Sequence, residues 1–190
     1  MIAPILLVLA AAPDWKQLDP VDGIAMSSRE LPGERLVELK LTVLSKLSIP
    51  KLCSAAFGPK GLDPNEPDIT LRRVIREAPG ELVTYEQISP PIVNNRDYAV
   101  RAKKEVLPSG GCRVTFAAAN ELAPPVPSGF VRIEKLHGSW DFEAAAEQTK
   151  VTYVIFADPA GAIPAAFIEG SRRKTAVAWM KLVLNRAAKD

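Results

Sequence analysis

Residues 164–188 read PAAFIEGSRRKTAVAWMKLVLNRAA, and the fold turns on this stretch. After Pro164, a residue suited to a first helical turn, the only Gly or Pro is Gly170, and Ala, Leu, Lys and Arg predominate. Such residues lose little on entering a helix. The segment therefore reads as one helix of about 25 residues, some 35 Å long at about 1.5 Å per residue. Phe167, Ser171, Thr175, Ala178 and Leu182 recur at helical spacing and share one face, which Arg172, Arg173 and Lys174 cannot all join.

Upstream the period changes to two. Glu38, Lys40 and Thr42 alternate with Leu39, Leu41 and Val43, the signature of a strand with one wet and one buried face. That strand spans 34–45, after a shorter one at 22–29 and a turn at Pro32-Gly33. Residues 70–76 and 81–88 read as a hairpin around Pro79-Gly80, and 97–106 with 112–120 as another. Segments 130–137, 138–142 and 150–157 complete about seven to nine antiparallel strands. A short helix is expected at 49–57, a loop at 58–67 and a Pro-rich connection at 122–129. The fold class is α+β: a sheet that twists and curls, its inner face covered by the only element long enough, the C-terminal helix.

The helix face offered to the sheet is small in its middle. Ser171, Thr175 and Ala178 sit between Phe167 and Leu182, whereas a face meant only to pack would carry bulk, since interiors approach crystal density. Either strand residues such as Phe116, Trp140 and Tyr153 fill the gap, or the gap stays open. Spacing alone leaves both readings standing.

Composition narrows the chemistry. The chain of 190 residues is one domain in size, and its 24 Lys+Arg against 22 Asp+Glu give no field strong enough to hold nucleic acid. The single imidazole, His137, lies in Leu136-His137-Gly138-Ser139, which is not the strand-to-helix elbow of a hydrolase. No glycine-rich phosphate loop occurs. Cys53 and Cys112, on separate elements with no neighbouring His, read as free buried thiols, so neither a metal site, a cofactor nor a catalytic residue is expected. Lys103-Lys104 and Arg172-Arg173-Lys174 read as solvated faces that could touch anionic lipid headgroups transiently. Residues 1–12, MIAPILLVLAAA, are too short to span a bilayer. They read either as an export signal ending in small residues or as a packed N-terminal segment ahead of a domain at 13–190. The first reading places the protein in the periplasm or outside the cell, the second in the cytoplasm.

Several segments in fixed order resemble the START family of lipid-transfer domains, within the helix-grip superfamily. They are Trp15 with Asp22-Gly23-Ile24; Asn95-Arg96-Asp97-Tyr98 after Pro90-Pro91; Val131-Arg132; Gly138-Ser139-Trp140; Thr149-Lys150-Val151-Thr152-Tyr153; and the Asp158-Pro159-Ala160-Gly161 run that opens the last helix. Together they cover residues 15–186. The resemblance implies a curved antiparallel sheet gripping the C-terminal helix around a tunnel for one lipid or sterol, with binding and transfer as the activity; separately, a monomer is the expected working unit. It turns the small-residue helix face into a ligand wall.

The resemblance also implies site residues. Arg101 would point into the cavity and pair with an acid on a preceding strand, for which Glu86 is the counterpart. Phe116, Trp140, Tyr153, Phe167 and Trp179 become aromatic walls, with Ser171 and Thr175 beside them. Loops 107–111 and 158–163 would lie together as a gate at one tunnel mouth. Two other readings remain: an enzyme of the polyketide cyclase or aromatase kind using the same cavity, and a module whose bound ligand alters contact with a partner protein.

Overall fold

Period-two patterning carries through to a ten-stranded sheet in a computed structural model that describes residues 14–58, 61–90, 94–161 and 165–189, the side chains of 165–167 excepted. Segment 1–12, with its two readings, lies outside the described residues. In chain order the strands are β1 (Lys16–Val21), β2 (Ile24–Arg29), β3 (Glu38–Ser45), β4 (Ile69–Ala78), β5 (Glu81–Ile88), β6 (Asn95–Val106), β7 (Cys112–Ala118), β8 (Phe130–Arg132), β9 (Lys135–Ala145) and β10 (Gln148–Asp158). Helix α1 (Ile49–Phe57) falls between β3 and β4, and helix α2 (Ala165–Lys189) ends the described chain. The spatial order is β1-β2-β3-β10-β9-β7-β6-β5-β4, antiparallel throughout, with short β8 lying parallel to the start of β6.

Three details differ from the expected outline. The first strand pairs with an additional one, β1, through a turn at Asp22-Gly23 where both residues have positive φ. Strand pairing in the long second strand starts only at Glu38. Residues 130–142 break at Ile133-Glu134, between β8 and β9, and not at Gly138: β9 runs straight through the glycine, which lets the Phe116 ring of β7 lie across the strand. A Cβ at Gly138 would overlap both that ring and the Val154 carbonyl oxygen on the other side.

The expectation of two free thiols is corrected. Cys53 of α1 and Cys112 at the head of β7 form a disulfide, with Cα atoms 6.1 Å apart. Separation in sequence hid the pair, because only the fold brings α1 across the start of β7. The bond pins α1 to the sheet within a cluster that includes Leu41, Leu52, Phe142 and Met180. Helix α2 lies against the same cluster with Ala176, Val177, Met180 and Val183. Ala178 is exposed and faces away from it, so the helix face turned inward is offset from the one that spacing suggested.

Candidate ligand cavity

Between the concave sheet face and α2 lies a cavity of about 730 Å³. Strand alternation sets its wall. β6 presents Arg96, Tyr98, Val100 and Ala102, β5 presents Leu82, Thr84, Glu86 and Ile88, and β7 presents Val114 and Phe116. From α2 come Ile168, Ser171, Arg172, Thr175, Ala176, Trp179, Val183 and Arg186, and α1 contributes Ala56 and Phe57. The inward set on α2 follows a 3-4 spacing, with the smaller Ser171, Thr175 and Ala176 towards its middle.

The apolar portion is centred on aromatics. Trp140 of β9 stacks on its cross-strand partner Tyr153 of β10, ring centroids 3.9 Å apart, and Phe116 lies 6.2 Å from Tyr153. Burial pushes the Tyr153 phenol above its ordinary pKa. Its hydroxyl has no hydrogen-bond partner among the described residues.

One flank is polar and closed on itself. Glu86 accepts hydrogen bonds from Arg72 Nε at 2.7 Å, Thr84 Oγ1 at 3.0 Å and the Tyr98 hydroxyl at 2.7 Å. Arg72 also donates to Glu66 at 2.6 Å, and the same Glu66 oxygen accepts from Arg186 of α2 at 2.7 Å. Arg186 reaches Asp63 at 2.8 Å as well. Burial opposes the charge on Arg72, yet Glu86 and Glu66 outweigh it and hold the guanidinium pKa above its usual value. Tyr98 is held well above the usual phenol range by burial and by Glu86. The loop ahead of β4 is thereby tied to β4, β5, β6 and the end of α2 through one ionic network.

The opposite flank has a different balance. Arg96, 3% exposed, donates to the carbonyl oxygens of Pro159 at 3.1 Å, Ala160 at 3.4 Å and Asn94. Arg172 donates to the Val37 carbonyl at 2.7 Å and to Glu169 at 3.3 Å. Burial pulls both guanidinium groups below their usual pKa.

With this architecture the chain was compared with known proteins. No family model matches it, and no curated protein does. Solved structures do. A STAR-related lipid transfer protein from Xanthomonas axonopodis superposes with a TM-score of 0.81 at 23% identity, covering 92% of this chain and 98% of that one. Human STARD10 gives 0.78 at 15% identity, over 92% and 73% of the two chains. This chain has the START-type helix-grip fold. An aromatase/cyclase from a Streptomyces species shares the wider grip more loosely, with a TM-score of 0.55 at 14% identity over 80% of this chain and 93% of that one.

Within this START fold Glu86, Phe116, Trp140, Tyr153, Ser171 and Thr175 all line the cavity, as does Trp179. The side chain of Phe167 lies outside the described residues. Arg101 is a correction: it does not reach the cavity but pairs with Glu121 at 2.9 Å, half-exposed. It shares a face with Asp97 and Ala99, as spacing requires, and that face is the outer one, where Arg132 of β8 also donates to the Pro124 carbonyl of the Pro-rich segment. There Asp97, fully buried, accepts from Arg132 and from the Tyr85 hydroxyl. Glu86 therefore pairs with Arg72, one strand away in the other direction.

The gate expectation is also corrected. Pro159 sits with Arg96 at the start of β6, whereas loop 107–111 follows the end of that strand, about 35 Å away at roughly 3.3 Å per residue. Loop residues in the wall are Gly58, Glu66, Pro67, Asp68, Pro90, Ile133 and Pro159, and residues 107–111 contribute none. Residues 162–163 of the other loop lie outside the described residues. Sequence reasoning missed Arg72, Glu66, Tyr98, Arg96 and Arg186 as wall residues, and Arg172, read as part of a solvated face, is a correction: its side chain is 10% exposed and lines the cavity. Parity on β6 and the spacing Arg172, Thr175, Trp179, Val183, Arg186 on the helix carried the signal for three of them.

Proposed function

We propose that the chain binds one hydrophobic molecule, a phospholipid, sterol or similar lipid, in this cavity and carries it without chemical change. The observation that carries the reading is the hollow itself: about 730 Å³ walled mostly by apolar and aromatic groups, within the size range of small-molecule sites. Apolar burial at roughly 25 cal/mol per Å² retains a hydrocarbon body without directional contacts, and the few polar groups orient it. Glu86, Phe116, Trp140, Tyr153, Ser171 and Thr175 are the proposed contacts.

A cyclase-like enzyme is the second reading, favoured by the free Tyr153 hydroxyl, which could hydrogen-bond a ligand carbonyl. Its raised pKa makes it a weak proton donor. Glu86 already accepts from three donors, leaving little capacity for proton transfer. His137 is half-exposed, beside Glu38 at 3.8 Å and outside the wall. These placements support carriage over catalysis.

The disulfide supports a location. Such bonds persist mainly in oxidising compartments, so we place the working protein outside the reducing cytoplasm, in line with the export reading of residues 1–12. No helix among the described residues is long and apolar enough to cross a membrane. Loading and unloading then take place in brief contact with a membrane surface. Transfer of a fluorescent phospholipid or sterol between donor and acceptor vesicles tests the function. Transfer that rises with protein concentration is expected, and a rate equal to the protein-free control would refute it.

A further inference from the structure

The two polar flanks of the cavity differ in what they leave unneutralised. On the β4–β5 flank, Arg72 and Arg186 meet Glu66, Glu86 and Asp63, so no positive charge is left over. Beside residues 158–160 the balance reverses. Arg35 pairs with Asp158, and Arg172 pairs with Glu169, but Arg96 has no carboxylate partner among the described residues. Carbonyl dipoles are its only partners, although it is 3% exposed and lines the cavity. Arginine keeps its proton even when buried, so a full positive charge stands on the wall. Charge buried without an opposite charge is costly, and an anion that reached it would relieve that cost. Arg172, whose side chain is 10% exposed, lines the same cavity and interacts electrostatically with Asp158, next to the residues that Arg96 holds.

We infer that Arg96, with Arg172 on the wall of the same cavity, forms a binding site for the anionic group of an amphiphilic ligand, a carboxylate or a phosphate, whose apolar body lies along the Trp140–Tyr153 wall. This rests on the proposed lipid-binding function and adds the charge class of the ligand. Guanidinium forks suit both oxyanions, each offering paired acceptor oxygens. Where the anion binds, it competes with the Pro159 and Ala160 carbonyls for Arg96.

The test compares ligands matched in their apolar part. Binding of oleate, oleyl phosphate and oleyl alcohol to the full chain is measured by displacement of a neutral fluorescent lipid, for the wild type and for Arg96→Met, Arg96→Lys and Arg172→Met. The wild type is expected to bind at least one of the two anions about ten-fold more tightly than the alcohol, the scale of a charge-assisted hydrogen bond. Whichever anion is preferred distinguishes a carboxylate from a phosphate site. Arg96→Met should bring that anion to the level of the alcohol while leaving the alcohol unchanged, and Arg96→Lys should retain part of the preference. Equal affinities in the wild type, or equal loss of all three ligands in Arg96→Met, would overturn the anion site while leaving lipid binding in place. Arg172→Met should lower that preference in part, an unchanged preference would remove Arg172 from the site, and this comparison and the wild-type one stand even if Arg96→Met does not fold. Failure of all three ligands to bind the wild type would overturn the lipid reading together with the site.

Discussion

Glu86 and Arg101 show how position decides what a charge is worth. Arg72 neutralises Glu86 and Glu66 with its side chain only 5% exposed. Arg72→Met would strand Glu86 and leave Glu66 to Arg186 alone, and should lower stability by about 3–5 kcal/mol in denaturant unfolding. Arg101→Ala removes a half-exposed pair with Glu121 and should change stability by less than about 1 kcal/mol. It should also leave lipid binding unaltered; lost binding would mean that Arg101 reaches the ligand. Asp63 gives a pH signature. The Asn65 backbone N–H and the Arg186 guanidinium hold its carboxyl at about 2, below the ordinary 3.8. A carboxyl depressed in the folded state contributes stability above its unfolded pKa and loses it as pH falls through the folded one. The denaturation midpoint should therefore fall between about pH 4 and about pH 2, and Asp63→Asn should flatten that part of the profile.

At the scale of elements, two features hold the grip in shape. Gly138 keeps β9 continuous beneath the Phe116 ring, so Gly138→Ala forces either the ring or the β10 backbone to shift. Overpacking of this kind costs about 1–3 kcal/mol, readable as a lowered thermal midpoint, and an unchanged midpoint would show that the strand has slack there. The Cys53–Cys112 bond closes α1 onto β7 across 59 residues of chain. Its reduction should cost about 2–4 kcal/mol, seen as a lower midpoint in reductant and matched by Cys53→Ser/Cys112→Ser. Helix α1 and strand β5 were legible from residue 49 to 57 and 81 to 88, because Pro50 and the Pro79-Gly80 turn mark their starts. Strand β1 was not, since its residues are largely exposed and carry no clean alternation. Parity placed Arg101 with Asp97 and Ala99, but not which side of the sheet that was. A buried Asp97 on the outer face, held by Arg132 and the Tyr85 hydroxyl, has no counterpart in a simple wet-face, dry-face pattern. The disulfide was invisible for the same reason as Arg72: both depend on contacts that only the closed fold supplies.

Over the whole molecule, the sheet curls further than one helix can fill. Helix α2 sets Ser171, Thr175 and Ala176 against the concavity, while Trp140, Tyr153 and Phe116 line the sheet side without closing the space. Interiors built for stability alone reach crystal-like density, so a hollow of this size supports the proposal that a ligand occupies it. The central claim is that a lipid occupies it, and organic extraction of the purified, oxidised protein followed by lipid mass spectrometry tests that most directly. The account predicts a co-purifying lipid near one molecule per chain, sharply reduced in Thr175→Trp, which fills the cavity from the helix side. Protein that folds with its disulfide intact, yet yields no lipid and takes none up from vesicles, would contradict it.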